Sequence, residues 1–139
     1  MAKNNNDFHS LFLMVDDNKD EEAFKQIKEA ADEGNPEALY YLGICYFGGH
    51  CVTQDRKQAI KYYLKASELG YADAQFELAH CYLNGDGVVR NTSEFMKWMR
   101  AAEKNGCIHA QHFSETYPSE ESFIDKVFCS YSIKEESEN

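Results

Sequence analysis

GNPEALYYLGICYFGGHCVTQDRKQAIKYYLKASEL, residues 34–69, runs directly into GYADAQFELAHCYLNGDGVVRNTSEFMKWMRAAEKN, residues 70–105. Laid one above the other, these two 36-residue stretches agree at nine positions: Gly34/Gly70, Ala38/Ala74, Leu42/Leu78, Cys45/Cys81, Tyr46/Tyr82, Gly49/Gly85, Val52/Val88, Lys61/Lys97 and Ala66/Ala102. Other pairs differ mainly in size, as in Glu37/Asp73, Tyr40/Phe76, Ile60/Met96 and Tyr62/Trp98. A third copy begins at Gly106 and Ala110. The second half of an earlier one precedes the first, since Ala23 and Ala30 fall 36 residues ahead of Ala59 and Ala66. A period of this length marks a solenoid, whose units cannot bury their apolar faces alone and so stack on their neighbours.

The 139 residues suffice for one domain with a sizeable core, and an aromatic content of 14% argues against disorder. No apolar run reaches the ~18 residues that span a bilayer. Leu11–Val15 is too short for a signal core and runs into Asp16 and Asp17, so the expected location is the cytoplasm. Five cysteines (45, 51, 81, 107 and 129) form no close-spaced framework. Two are repeat-equivalent, which suits small buried apolar positions in a reducing compartment. The net charge of −10 is uneven: residues 1–36 hold 9 acids and 4 bases, 37–108 hold 8 and 8, and 109–139 hold 7 and 2. Acid at the two ends suits soluble caps on an array, and it also suits attraction to a basic partner. With no basic stripe, nucleic acid is not an expected partner.

The periodicity predicts helices throughout and no strands. Phe8, Leu11, Phe12 and Val15 repeat at helical spacing, with a break expected at residues 16–19. A helix capped by Asn18 or Asp20 runs to about Glu33, with Ala23, Phe24, Ile27, Ala30 and Ala31 inward. Gly34 ends it, and Asn35–Pro36 cap and open the next, Pro36–Phe47. Gly43 falls where two helices are expected to approach closely, and Val52 is expected to tuck back under them. A second helix starts at Thr53 or Asp55 and ends near Leu69, with Ala59, Ile60, Tyr63, Ala66 and Leu69 inward. The pattern repeats with helices over Asp73–Leu83 and Ser93–Lys104, the latter started by Asn91 or Thr92 and turning Phe95, Met96, Met99 and Ala102 inward. A third unit starts with His109–Thr116 and is cut short by Pro118. Ser119 caps a last helix to about Ser130, with Phe123, Ile124, Val127 and Phe128 apolar. The expected organisation is an N-terminal segment with a short helix (1–19), a repeat array (20–117), a capping helix (118–131) and a disordered acidic tail (132–139).

The pattern Ala38-x-x-x-Leu42-Gly43-x-x-Tyr46-x-x-Gly49, followed by Val52, Asp55, Ala59, Tyr62, Ala66 and Gly70, resembles the SEL-one-like repeat, a relative of the tetratricopeptide repeat. The second copy carries it through Ala74, Leu78, Tyr82, Gly85-Asp86-Gly87-Val88, Trp98, Ala101-Ala102 and Gly106. The resemblance covers about residues 20–117. Cys51 stands where the loop's second glycine is usual, Ala79 replaces the glycine of Leu-Gly, and Phe95 replaces a small alanine. The resemblance implies an all-α, right-handed α/α superhelix of antiparallel helix pairs, the first helix of each pair lining a concave face. It also implies protein-binding adaptors and scaffolds, common in bacteria in signalling, host contact and toxin antagonism. A cysteine-rich branch pairs cysteines within each repeat and is linked to β-lactam binding; that pairing pattern is missing from this sequence.

Positions that agree between copies serve shared packing, whereas positions that differ along one helical stripe are free to serve a partner. On the first helix of each pair that stripe reads Glu37, Tyr40, Ile44, Phe47, then Asp73, Phe76, His80, Leu83, then His109, His112, Thr116. The adjacent positions are Tyr41, Glu77 and Phe113. Aromatic area with isolated charges suits a protein or peptide ligand. Tyr40/Phe76 and Phe47/Leu83, large in both copies, fit core as well as surface. Ile44/His80 and Tyr41/Glu77 change character and are expected on the surface.

Chemistry is less well supported. Cys107-x-His109-x-x-His112 has metal-ligand spacing without an evident fourth ligand. His80 and Cys81 are helical neighbours pointing about 100° apart, a poor nucleophile pair. The glycines of 48–49 and 85–87 precede no Lys-Ser/Thr and read as turns. Asn91-Thr92-Ser93 reads as a helix start rather than a glycosylation site. The expected protein is therefore a non-enzymatic monomer with no cofactor and no metal. It holds one protein partner on its concave face, and a basic toxin domain met by an immunity-type inhibitor is the sharper form of that expectation. The alternative is an exported, cysteine-rich hydrolase acting on β-lactams or cell wall. Self-assembly through the end helices is a further structural alternative.

Overall fold

Helix starts and stops follow the polar punctuation of the sequence. In the computed structural model, the structure describes residues 7–18, 20–119, 121–124 and 126. The order is α1 (Phe8–Asn18), α2 (Glu21–Asp32), α3 (Pro36–Gly48), α4 (Arg56–Glu68), α5 (Ala72–Asn84), α6 (Thr92–Lys104), a 3-10 turn (Ile108–Ala110) and α7 (Phe113–Thr116). Residues 121–124 are helical again, and no strand occurs among the described residues. The Asp20 carboxylate accepts from the Glu22 and Ala23 amides, Asn35 from Ala38, Asp55 from Gln58 and Asn91 from Glu94. Each such cap stabilises its helix by about 1 kcal/mol. Gly34, Gly70 and Gly106, one period apart, turn the chain out of its helix with φ of 90°, 86° and 91°.

Each helix packs on the one before and the one after it, and α1 also reaches α3. This one-dimensional stacking makes the chain an all-α solenoid. Its core falls into two clusters. One joins Phe8, Val15, Ala23 and Ile27 to Leu39, Tyr41, Leu42 and Cys45. The other joins Ile60, Tyr63, Leu78 and Ala79 to Phe95, Met96, Trp98 and Met99, and ends on Phe113 and Phe123. At that end Phe95 meets Phe113 edge-on at 5.4 Å and Phe123 at 5.0 Å, while Tyr117 meets Phe123 edge-on at 5.1 Å. These aromatic pairs close the array against solvent.

Polar ties run between units. Buried Gln75 donates to the Ser67 carbonyl at 3.0 Å and accepts from Asn105 Nδ2 at 3.0 Å, linking the ends of α4 and α6 across the start of α5. Arg56, at the start of α4, pairs with Asp86 of the second loop at 2.8 Å and lies over the Phe47 ring.

Several expectations are corrected. α1 does not break at Asp16 but continues to Asn18, because aspartates lower helix propensity by only tenths of a kcal/mol. Leu69 is not inward: it is the C-cap of α4, where the chain is already turning towards Gly70, and is 58% exposed. The third unit does not start with one helix over 109–116. It is a 3-10 turn followed by one turn of α-helix, in a His-, Ser- and Thr-rich stretch of low propensity ended by Tyr117, which Pro118 holds in an extended conformation. Ser119 and Ser122 exchange side-chain to backbone bonds, as a capping serine does. Val127, Phe128, the end of the last helix and the acidic tail lie outside the described residues.

Candidate functional site

Asn35 with Pro36 opens α3, and Tyr71 with Ala72 opens α5, the first helices of successive units. Tyr40, Asp73, Phe76, Glu77 and His109 line one cleft of about 240 Å³. The sequence reading placed all five on the divergent stripe or next to it. Asp73 and Glu77 are a turn apart on α5 and share a face. Asp73 and His109 are exposed, while Tyr40, Phe76, Glu77 and His80 are half-buried.

The rings form two groups, one around Tyr40 and one around Phe76. Tyr40 contacts Tyr41 at 5.1 Å and Tyr71 at 5.3 Å. Phe76 contacts His80 at 4.4 Å and His109 at 5.5 Å, so it bridges the second and third units. His80 Nδ1 donates to the Phe76 carbonyl at 3.0 Å. That bond fixes the ring's orientation and keeps Nε2 for other partners.

The cleft is electronegative. Burial raises the Glu77 carboxyl above its usual range, and Asp73 raises it further, while His80 and His109 oppose the shift. Burial likewise raises Glu37, with Asp7 and Asp73 adding to it and His9 opposing. The Tyr40 phenol is pushed well up by burial, then by Glu77 and Asp73; burial and then Glu37 and Asp73 do the same to Tyr71.

The remaining stripe residues divide. Glu37, Ile44, Phe47 and Leu83 are half-buried, and His112 is exposed. Two expectations of surface exposure fail. Tyr41 is only 9% exposed because α1 lies over it: Phe12 stacks on its ring at 5.4 Å, and His9 Nδ1 sits 3.1 Å from its hydroxyl. Burial pushes that phenol up to about 12. Phe113 is buried in the closing aromatic cluster, because the break in the third unit turns it onto Phe95. Sequence reasoning missed Tyr71, His9 and Gln75. Tyr71 left a signal, since an aromatic ring stands where the first copy has the capping Asn35.

The cysteine and histidine motifs do not assemble. Cys107 is buried whereas His109 and His112 are exposed. No three His, Cys, Asp or Glu side chains gather in metal-binding geometry among the described residues. Cys81 is buried beside Leu78 and Ala79, and burial, with Glu77 and Asp86 adding, pushes its thiol up to about 12, which suits packing rather than nucleophilic attack. Cys81 and Cys107 are buried and make no disulfide. No described helix is long and apolar enough to cross a membrane.

Comparison with known proteins agrees with this architecture. The Sel1 repeat matches residues 36–71 and 72–107, two full units and half of the chain. No curated protein matches. Among solved structures, a Sel1 repeat protein from Oxalobacter formigenes is 27% identical with a TM-score of 0.66, over 74% of this chain and 44% of that one. A protective antigen of uropathogenic Escherichia coli, displaying an SLR fold, is 33% identical with a TM-score of 0.69, over 79% of this chain and 24% of that one. Cysteine rich protein B of Helicobacter pylori is 26% identical with a TM-score of 0.66, over 73% of this chain and 79% of that one. The chain thus spans less than half the length of the first two neighbours.

Proposed function

Because the chain belongs to the Sel1 repeat family, whose members are generally protein–protein interaction modules rather than enzymes, we propose that it holds one protein partner on the concave face lined by α3, α5 and the start of the third unit. The observation that carries this reading is the cleft of Tyr40, Asp73, Phe76, Glu77 and His109. Repeat packing does not dictate Glu77 of this cleft, since its first-copy equivalent is Tyr41, nor the nearby His80, whose equivalent is Ile44. Half-buried rings beside exposed charge supply what a polypeptide interface uses: area from the rings, register from the charges.

The sharper form is an immunity-type inhibitor that covers a basic toxin domain. It draws support from the net charge of −10 and the acid surplus of residues 1–36 and 109–139. Affinity capture with the wild-type chain and with Phe76→Ala tests the face. Loss of a reproducible partner at unchanged helicity is the expected result, and capture that survives Phe76→Ala rejects the face. Partner affinity is expected to fall steeply from low to physiological salt, and an affinity insensitive to ionic strength rejects the basic-partner form. The cysteine-rich hydrolase alternative draws on the likeness to cysteine rich protein B. Counting thiols under denaturing conditions separates the two: five reactive thiols per chain reject the hydrolase and four oxidised cysteines favour it.

A further inference from the structure

We propose that the cleft between α3 and α5 is a socket for a single arginine side chain of the partner polypeptide. This deepens the protein-binding reading and rests on it. Three observations converge. The first is size: at about 240 Å³ the cleft is smaller than the roughly 300–1,000 Å³ of small-molecule sites, and has room for one long side chain.

The second is charge. Asp73 and Glu77 present two carboxylates one turn apart in the cleft, with Glu37 acted on by the same Asp73. The other charged groups acting on Glu37 and Glu77 are Asp7 and the imidazoles of His9, His80 and His109; no lysine or arginine is among them. Asp86 and Glu94, by contrast, pair with the protein's own Arg56 and Lys97. Here the cation is left to come from outside.

The third is the walls. Tyr40 and Phe76 line the same cleft as the acids, so a cation entering it meets aromatic rings as well as carboxylates. A planar guanidinium can stack on a ring while its N–H groups fork onto carboxylates, whereas an ammonium has neither the plane nor the fork. Arginine is therefore favoured over lysine.

The test uses the isotope-labelled full chain and three blocked amino acids: N-acetyl-arginine amide, N-acetyl-lysine amide and the neutral isostere N-acetyl-citrulline amide. Amide resonances of residues 73–77 and 109 are expected to move with the arginine compound, with an affinity at least about fivefold above that for the other two. Asp73→Asn is expected to weaken this severalfold, and Asp73→Asn combined with Glu77→Gln to abolish it. Asp73 is exposed, so the single variant keeps the fold if the double one does not. The proposal is overturned by equal responses to arginine and citrulline or to arginine and lysine. It is equally overturned by a response unaffected by Asp73→Asn, or by none up to about 50 mM, the weak range expected for one side chain. Any of these failures leaves the Phe76→Ala capture test standing, so the socket and the binding face stand or fall separately.

Discussion

Gly43 shows how one atom sets the spacing of a repeat. A Cβ there would come within 2.7 Å of the Tyr63 ring, which is itself buried, so the absent side chain is what lets α3 lie against α4. One period later the pair becomes Ala79 and Met99, both buried in one core cluster. The unbranched methionine makes room for the methyl that the ring excludes. Gly43→Ala is therefore expected to lose about 1–3 kcal/mol through overpacking, and Tyr63→Met in the same chain to recover much of it. Urea unfolding of the two single variants and the double variant checks this, and additive effects would show that the two side chains do not compete for one space. The second loop carries a similar pairing. Cys51 adopts φ of 62° where the equivalent Gly87 has φ of 76°. Cys51→Gly should stabilise by up to about 1 kcal/mol, since the left-handed conformation strains any residue with a Cβ. Gly87→Ala should have the opposite sign and cost roughly 2 kcal/mol or more, because its Cβ would also meet the Arg56 carbonyl at 2.7 Å.

At the level of the element, the helices differ in how firmly they are begun. α4 and α6 start from Asp55 and Asn91 in nearly the same conformation, with φ of −149° and −150° and a side chain bonded to the third amide. Asn91→Ala is expected to cost about 1 kcal/mol, read as a lower thermal midpoint. α5 starts from Tyr71, which makes no capping bond and instead lays its ring against Tyr40 beside the cleft. Local helix stability is thus given up where the candidate site begins. The element-level reading from sequence held wherever caps and glycines marked an end. It failed at α1, where aspartates alone were read as a stop, and in the third unit, where a 36-residue pattern carried helix into a stretch that breaks into a 3-10 turn and one α-turn.

For the whole molecule, the stacking of units sets Asp73 and Glu77 beside Tyr40 and Phe76 in a cleft that no lysine or arginine lines. Burial raises Glu77, so the folded chain holds that proton more tightly than the unfolded chain does. Whatever stability the group contributes is full below the ordinary carboxyl value of 4.5 and is lost as pH rises through the raised one. Glu77→Gln, which cannot ionise, is therefore expected to melt higher than wild type at pH 7 and to match it at pH below about 4. A variant no more stable at pH 7 would show that Glu77 carries no such strain. A fold that keeps a destabilising acid in a cleft fits a group retained for binding rather than for packing.

The sequence by itself determined the repeat, the helical class, most caps and the shared core, because those depend on spacing along one chain: 36 residues between equivalent positions and 3.6 residues per helical turn. It also marked Glu77 and His109 of the cleft by their divergence between copies, and placed Tyr40, Asp73 and Phe76 on the same helical stripe by spacing. Only the tertiary structure decided which divergent positions stay open to solvent. Tyr41 is covered by α1 and Phe113 by the closing aromatic cluster, and neither follows from the spacing of their own helices. Periodicity says which face of a helix a residue occupies; what lies across from that face depends on contacts between elements far apart in the chain, and these exist only once the array is stacked.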